Sequence, residues 1–248
     1  MQYYQYDKYP IEFVLSENID KHFEYHNHAS HYVISVVLQG TAVLCLDDRE
    51  AVCRKGDVFI IPPYAIHSVR QGKYARLLSM CIGTAFIKET NIETAEEFFR
   101  KLSGEAVSQG IFGKEQGNTL LVSVREVYCH WDNGWKEMDS DIKILTDKIV
   151  SCPEQERSAE SLAADIFVSK YYLIRKFRNS IGMTPHQFCI QNRIRKSQSL
   201  LDGEKTISRI AAEMGFYDQS HFDKAFHRIV GISPSEYIRS KKRIGQSI

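Results

Sequence analysis

The six cysteines, at positions 45, 53, 81, 129, 152 and 189, form no CxxC pair and stand near no histidine at zinc-finger spacing. Neither a structural zinc site nor a redox dithiol is therefore indicated. Thiols scattered in this way are expected to be reduced and mostly buried, as in a cytoplasmic protein. No uninterrupted apolar run reaches the roughly 18 residues of a spanning helix, and no basic, apolar, small-residue progression opens the sequence. No membrane partner is expected, and the expected localisation is cytoplasmic. Net charge is nearly absent as well. Thirty-two Lys and Arg against 31 Asp and Glu leave +1, which excludes a histone-like basic chain and an acidic tail protein.

The small total hides a split. Residues 151–248 carry 16 Lys and Arg against 10 Asp and Glu, a balance of +6, whereas residues 1–150 carry 16 against 21, a balance of −5. With 248 residues, 43% of them hydrophobic and 25% charged, the chain has the make-up of a globular protein of two domains. Only the second suits a polyanion.

The two halves also differ in grain. Between residues 31 and 82 the segments HYVISVVLQG, TAVLCLDD, EAVCR, GDVFIIPP and ARLLSMCIG are short β-branched or aromatic runs broken by Gly40, Asp47-Asp48, Gly56 and Pro62-Pro63. Strands at this spacing predict a small sandwich or barrel. Tyr3, Tyr4, Tyr6 and Tyr9 form an aromatic arm before it, read as a strand on the sheet or a lid. From about Thr84 the period becomes helical: Glu93 to Leu102, then Asn118 to Trp131, where Leu120, Leu121, Val124, Val127, Tyr128 and Trp131 make one stripe. That stripe either covers the barrel or forms a dimer contact. Ile142, Leu145 and Ile149 lead to the polar turn SCPEQER, and every element after Ser158 reads as helix.

The basic half repeats itself. A shift of 49 superposes Leu173 on Phe222, Phe177 on Phe226, Gly182 on Gly231, Pro185 on Pro234 and Phe188 on Tyr237. Upstream, Leu162-Ala163-Ala164-Asp165 meets Ile210-Ala211-Ala212-Glu213 at a shift of 48, so the two turns differ in length by one residue. Each copy is predicted to be a short helix, a tight turn and a second helix ending in a glycine-proline loop. In the first copy Ser169 caps KYYLIRKFRNSI, with Leu173, Phe177 and Ile181 inward and Lys170, Tyr171, Ile174 and Arg175 outward. In the second, Asp218 or nearby polar groups open QSHFDKAFHRIV, with Phe222, Phe226 and Ile229 inward and Gln219, Ser220, Asp223 and Lys224 outward. A helix that enters a major groove needs this division, and Arg178 and Arg228, further along, suit phosphates.

Residues Ser158 to Ser240 resemble the paired helix-turn-helix domain of AraC/XylS-type transcription regulators, above all in IAAEMGFYDQSHFDKAFHRIVGISPSEYIR. Two positions depart from that pattern. Phe167 replaces a common turn glycine, which predicts a strained or rearranged turn, and Asp223 would repel phosphate unless it accepts from a cytosine amine. The acidic half is similar to cupin barrels through His26-Asn27-His28 and GDVFIIPPYAIH, which ends at His67. The resemblance implies that these histidines converge inside the barrel. The carboxylate usual in enzymatic cupins is missing, since Tyr32 occupies its place and His31 precedes it. Three readings stay open: a divalent metal site, a small-effector site, or histidines left over from the architecture.

The expectation is thus an α+β multidomain protein with no catalytic residues, cofactor or metal. It comprises a cupin-like sensor barrel at residues 1–83, a helical and dimerising region at 84–138, and a double helix-turn-helix domain at 139–248. DNA contacts fall to Lys170, Tyr171, Ile174, Arg175, Arg178, Gln219, Ser220, Asp223, Lys224 and Arg228, and effector contacts to His26, His28, Tyr32 and His67. The implied partners are double-stranded promoter DNA, a small effector, a second copy of the chain and, for an activator, RNA polymerase. A metal-dependent cupin enzyme carrying a DNA-targeting domain is the competing class. The basic tail RSKKRIGQSI is read as solvated or as touching phosphate.

Overall fold

The computed structural model describes residues 1–6, 11–17, 21–46, 49–130 and 138–244; Tyr9 and Trp131 lie outside them. Two compact units emerge, one formed by residues 1–24, 28–135 and 240–248, the other by 136–239 with 25–27.

The strands ahead of the helices are β1 (Gln2–Tyr6), β2 (Ile11–Glu17), β3 (Lys21–His26), β4 (His31–Gln39), β5 (Thr41–Leu46), β6 (Arg49–Arg54), β7 (Val58–Ile61), β8 (His67–Gln71) and β9 (Arg76–Gly83), all in the first unit but for the last two residues of β3. Helices α1 (Thr84–Glu89), α2 (Ile92–Ser108) and α3 (Lys114–His130) follow. Strands β2, β9, β4 and β7 pair antiparallel within one sheet, and β3, β8, β5 and β6 make a second. The run HYVISVV in β4 is apolar on both faces because both are covered. Tyr32, Ile34 and Val36 join Leu78, Met80 and Ile82 of β9 in a core shared with Phe99, Leu102, Leu120, Val124 and Val127 of α2 and α3. Val33 and Val37 point the other way, towards Ala42, Leu44, Cys53, Phe59, Ile61 and Leu77 between the sheets. The α3 stripe is therefore spent on covering the sheet, and helices α1–α3 belong to this unit. Between β4 and β5 the chain changes sheet through the single residue Gly40, at φ +71, where a Cβ would lie 2.9 Å from the Ala75 Cα. Only glycine fits such a corner.

The second unit is helical: α4 (Ser140–Ser151), α5 (Ala159–Asp165), α6 (Lys170–Ile181), α7 (Pro185–Leu200), α8 (Ile207–Glu213), α9 (Gln219–Val230) and α10 (Pro234–Ser240). The repeat reappears as matched punctuation. Ser158, Ser169, Thr206 and Asp218 cap α5, α6, α8 and α9, while Gly182 and Gly231 end α6 and α9 in the left-handed conformation. Leu173, Phe177 and Ile181 are fully buried, as are Phe222 and Phe226, and the last inward position of α9 is Val230 while Ile229 is half-buried. Of the basic tail after α10, the residues up to Ile244 are described. β10 (Lys241–Ile244) runs parallel to β1 at the sheet edge, and the Lys242 amine lies 5.6 Å from the centre of the Tyr4 ring. β1 itself pairs with β2, so the tyrosine arm is a strand as far as Tyr6.

Candidate nucleic-acid interface and histidine cluster

Two short helices with small-residue faces place the two capped helices that follow them. Between α5 and α6 the linker is Ile166–Ser169; between α8 and α9 it is one residue longer, Met214–Asp218. Both turns are tied alike, Val168 N–H donating to Ala163 O and Phe216 N–H to Ala211 O, each at 3.0 Å. Phe167 therefore occupies the place of Gly215, and it keeps the glycine conformation at φ +56 while Gly215 sits at +71. Its ring is 97% exposed, so no packing repays the strain.

The outward faces of α6 and α9 carry the expected polar set. Lys170, Tyr171, Arg175 and Arg178 are exposed on α6, and Gln219, Ser220, Lys224 and Arg228 on α9. Ile174 and Asp223 are half-buried, and the Asp223 Oδ1 is screened from solvent with no hydrogen-bond partner among the described residues. Several other cations of this unit are matched to carboxylates: Lys148 with Asp165, Lys196 with Glu154, Lys205 and Arg209 with Glu213. Lys176 bridges Asp139 at 2.9 Å and Asp141 at 2.6 Å, and its hydrogen bond holds the Asp139 carboxyl below the usual range. Lys170 is held too, 2.6 Å from Glu160, whose carboxyl it pushes down. By contrast, Arg175, Arg178, Lys224 and Arg228 stand outside any ion pair among the described residues. Four cations outside these ion pairs are thus exposed on two equivalent helices, where they favour an anionic partner.

The histidines do converge. Ligand nitrogens of His26, His28 and His67 lie within 4.8 Å of one another, with His28 and His67 buried and His26 half-buried. Tyr64 N–H donates to His28 O at 2.7 Å, which pins the loop before β8 to the end of the His-Asn-His segment. Tyr64 pays for this with φ +60. Ala65 O accepts from the His67 Nδ1 at 2.9 Å, so a neutral His67 carries its proton there and has its lone pair on Nε2. Tyr32 does not join the group. Strand alternation turns it into the helix-facing core, whereas its neighbour His31 stacks on His28 with ring centres 4.5 Å apart. The period of two along β4 could have found His31 from sequence. No carboxylate joins the three ligand histidines among the described residues, so the set fits zinc-like coordination or hydrogen bonding to a polar ligand equally well by donor type.

Residues 9–84 match the AraC-like ligand-binding domain, and residues 162–240 match a helix-turn-helix domain. Over 237 residues the chain is 24% identical to the probable transcriptional regulator LumQ of Photobacterium leiognathi, covering 89% of this chain and 94% of that one. It is 22% identical to the arabinose operon regulatory protein of Escherichia coli, covering 83% and 80%. Among solved structures it is similar to an apo ToxT variant of Vibrio cholerae, with a TM-score of 0.62 at 15% identity over 95% of this chain and 99% of that one. Wild-type ToxT bound to an unsaturated fatty acid gives a TM-score of 0.57 at 15% identity, over 94% and 96%.

The unrepaid strain at the first turn makes a measurable difference. Phe167→Gly is expected to raise the stability of the protein by about 1 kcal/mol, because relief of ~1–3 kcal/mol of backbone strain outweighs the ~0.5–1 kcal/mol entropy cost of glycine. Urea unfolding followed by circular dichroism measures it. A lowered midpoint would mean that the ring makes folded-state contacts its exposure denies.

Proposed function

We propose, starting from a chain that is an AraC-type transcription regulator with a ligand-binding domain ahead of a helix-turn-helix domain, that α6 and α9 both read promoter DNA under control of a small organic effector held at the histidines. One observation carries the DNA reading: Arg175, Arg178, Lys224 and Arg228 on the outward faces of these two equivalent helices lie outside ion pairs among the described residues, whereas Lys148, Lys176, Lys196, Lys205 and Arg209 of the same unit are matched to carboxylates. Arg175 and Lys224 reach guanine acceptors, and Gln219 and Ser220 contact base edges near the start of α9. Lys170, Tyr171 and Ile174 line the start of α6, the last two offering apolar contact to thymine methyl groups. Asp223 accepts from a cytosine amine through its other carboxylate oxygen, Oδ2. Arg178 and Arg228 neutralise phosphates.

The effector site comprises His26, His28 and His67, with His31 added. One observation favours an organic ligand over a catalytic metal: a similar fold, that of ToxT, accommodates a fatty acid. The relatives are transcription regulators, and we assign no catalysis to this chain. Residues 1–83 are the sensor, 84–138 the helical region that also serves dimerisation, and 139–239 the DNA-binding region, while β10 returns to the sheet of the first unit. No helix among the described residues is long and apolar enough to cross a membrane, and a cytoplasmic site of action follows from a DNA partner. RNA polymerase is a further partner if the protein activates.

Alanine variants separate the roles. Arg175→Ala is expected to cost about 1–3 kcal/mol on the preferred duplex and to relax choice at one base pair, whereas Arg228→Ala weakens all sequences alike and flattens the salt slope by about one unit. Equal loss on specific and random DNA for Arg175→Ala would remove its base-reading role. For the sensor, linkage requires DNA to change effector affinity by the factor with which effector changes DNA affinity. Calorimetry with candidate metabolites, with and without operator, should return matching factors, and His67→Ala should lose the heat of effector binding. Stoichiometric bound zinc or iron, lost together with regulation in His26→Ala, would replace the organic effector by a metal.

A further inference from the structure

Helix α7 joins the two copies, and its middle is unusually polar for so buried a segment: Gln191, Asn192 and Arg193 in succession are all buried. Arg193 is 8% exposed. Its charge is shared among backbone carbonyls: Nε donates to Pro153 O at 3.0 Å, Nη1 to Gly215 O at 2.8 Å and Nη2 to Gln155 O at 3.4 Å. Pro153 and Gln155 lie in the link from α4 to α5, directly ahead of the first copy, and Gly215 is the turn of the second. The approach is tight, and together with a φ of +71 it favours glycine at the turn. A Cβ on Gly215 would sit 3.3 Å from the Arg193 Cζ and Nη1 and 3.2 Å from Glu154 O. At the same place in the first copy no such approach exists, and a phenylalanine stands in solvent.

Burying a guanidinium is costly and leucine or methionine would fill the same space, so the arginine is retained for what its fork of donors connects. We infer that Arg193 is a positioning residue that fixes the offset between α6 and α9, and thereby the spacing between the two groove contacts that the protein accepts. The inference rests on the reading of α6 and α9 as paired DNA-reading helices. It adds a residue that touches no DNA.

The test uses the full chain and a duplex selected by it from a randomised pool, together with that duplex carrying one inserted base pair between the two contacted stretches and with versions in which one stretch is scrambled. Inserting one base pair turns and shifts one contact by about a tenth of a helical turn. Wild type is expected to lose at least about tenfold on the insertion, a cost set by rigid spacing. Arg193→Lys should bind the one-stretch duplexes within about twofold of wild type, lose about tenfold on the intact duplex, and pay less than about threefold for the insertion; Arg193→Gln should pay less still. An insertion penalty unchanged from wild type in both variants, or an equal loss on one-stretch and two-stretch duplexes, overturns the assignment. So does unfolding of both variants at 25 °C, because a positioning role requires each recognition helix to survive. A wild-type protein with no insertion penalty would instead defeat the paired reading on which the assignment stands.

Discussion

One helix has to satisfy both copies of the repeat at once. Phe188 of α7 meets Phe177 of α6 edge-on with ring centres 5.6 Å apart, and α7 also packs against α4, α8 and α9. A recognition helix can present a fully polar outer face only if its back is anchored, and short helices of 12 residues gain little stability from backbone hydrogen bonds alone. The buried phenylalanines 177, 222 and 226 supply that anchor, each worth about 3–5 kcal/mol by truncation. Caps and left-handed glycines then fix where each helix begins and ends, so that the outward side chains start at a defined place.

In the first unit the matching constraint is the alternation of β4. Its even-numbered residues from Tyr32 to Val36 lie in the helix-facing core, while Val33 and Val37 lie between the sheets. A strand that serves two cores leaves no freedom of register, since a slip by one residue would exchange the two sets. The same alternation puts His31 beside His28 and takes Tyr32 away. The histidine cluster is thus set by a strand held on both faces and by a loop pinned through Tyr64.

Much of the helical unit was legible because packing and punctuation residues repeat: Phe177 with Phe226, Gly182 with Gly231, Pro185 with Pro234. The strain at Phe167 was legible too, from a bulky residue where the turn needs positive φ. Less could be read where the partner is distant in sequence. Arg193 bonds carbonyls 22 to 40 positions away, and a lone arginine in a helix carries no mark of such bonds. Pairing of Lys241–Ile244 with β1 joins the two ends of the chain, and a basic run gives no register signal. For Tyr32 the signal was present, but the cupin resemblance drew attention to a motif position and away from the side of the strand it occupies.

The central claim is that the two copies act together, each placing one helix in a major groove. Hydroxyl-radical footprinting of the full chain on its selected duplex tests this most directly. The account predicts two protected stretches on one face of the duplex, about one helical turn or ~34 Å apart. A single stretch, or two on opposite faces, would contradict it.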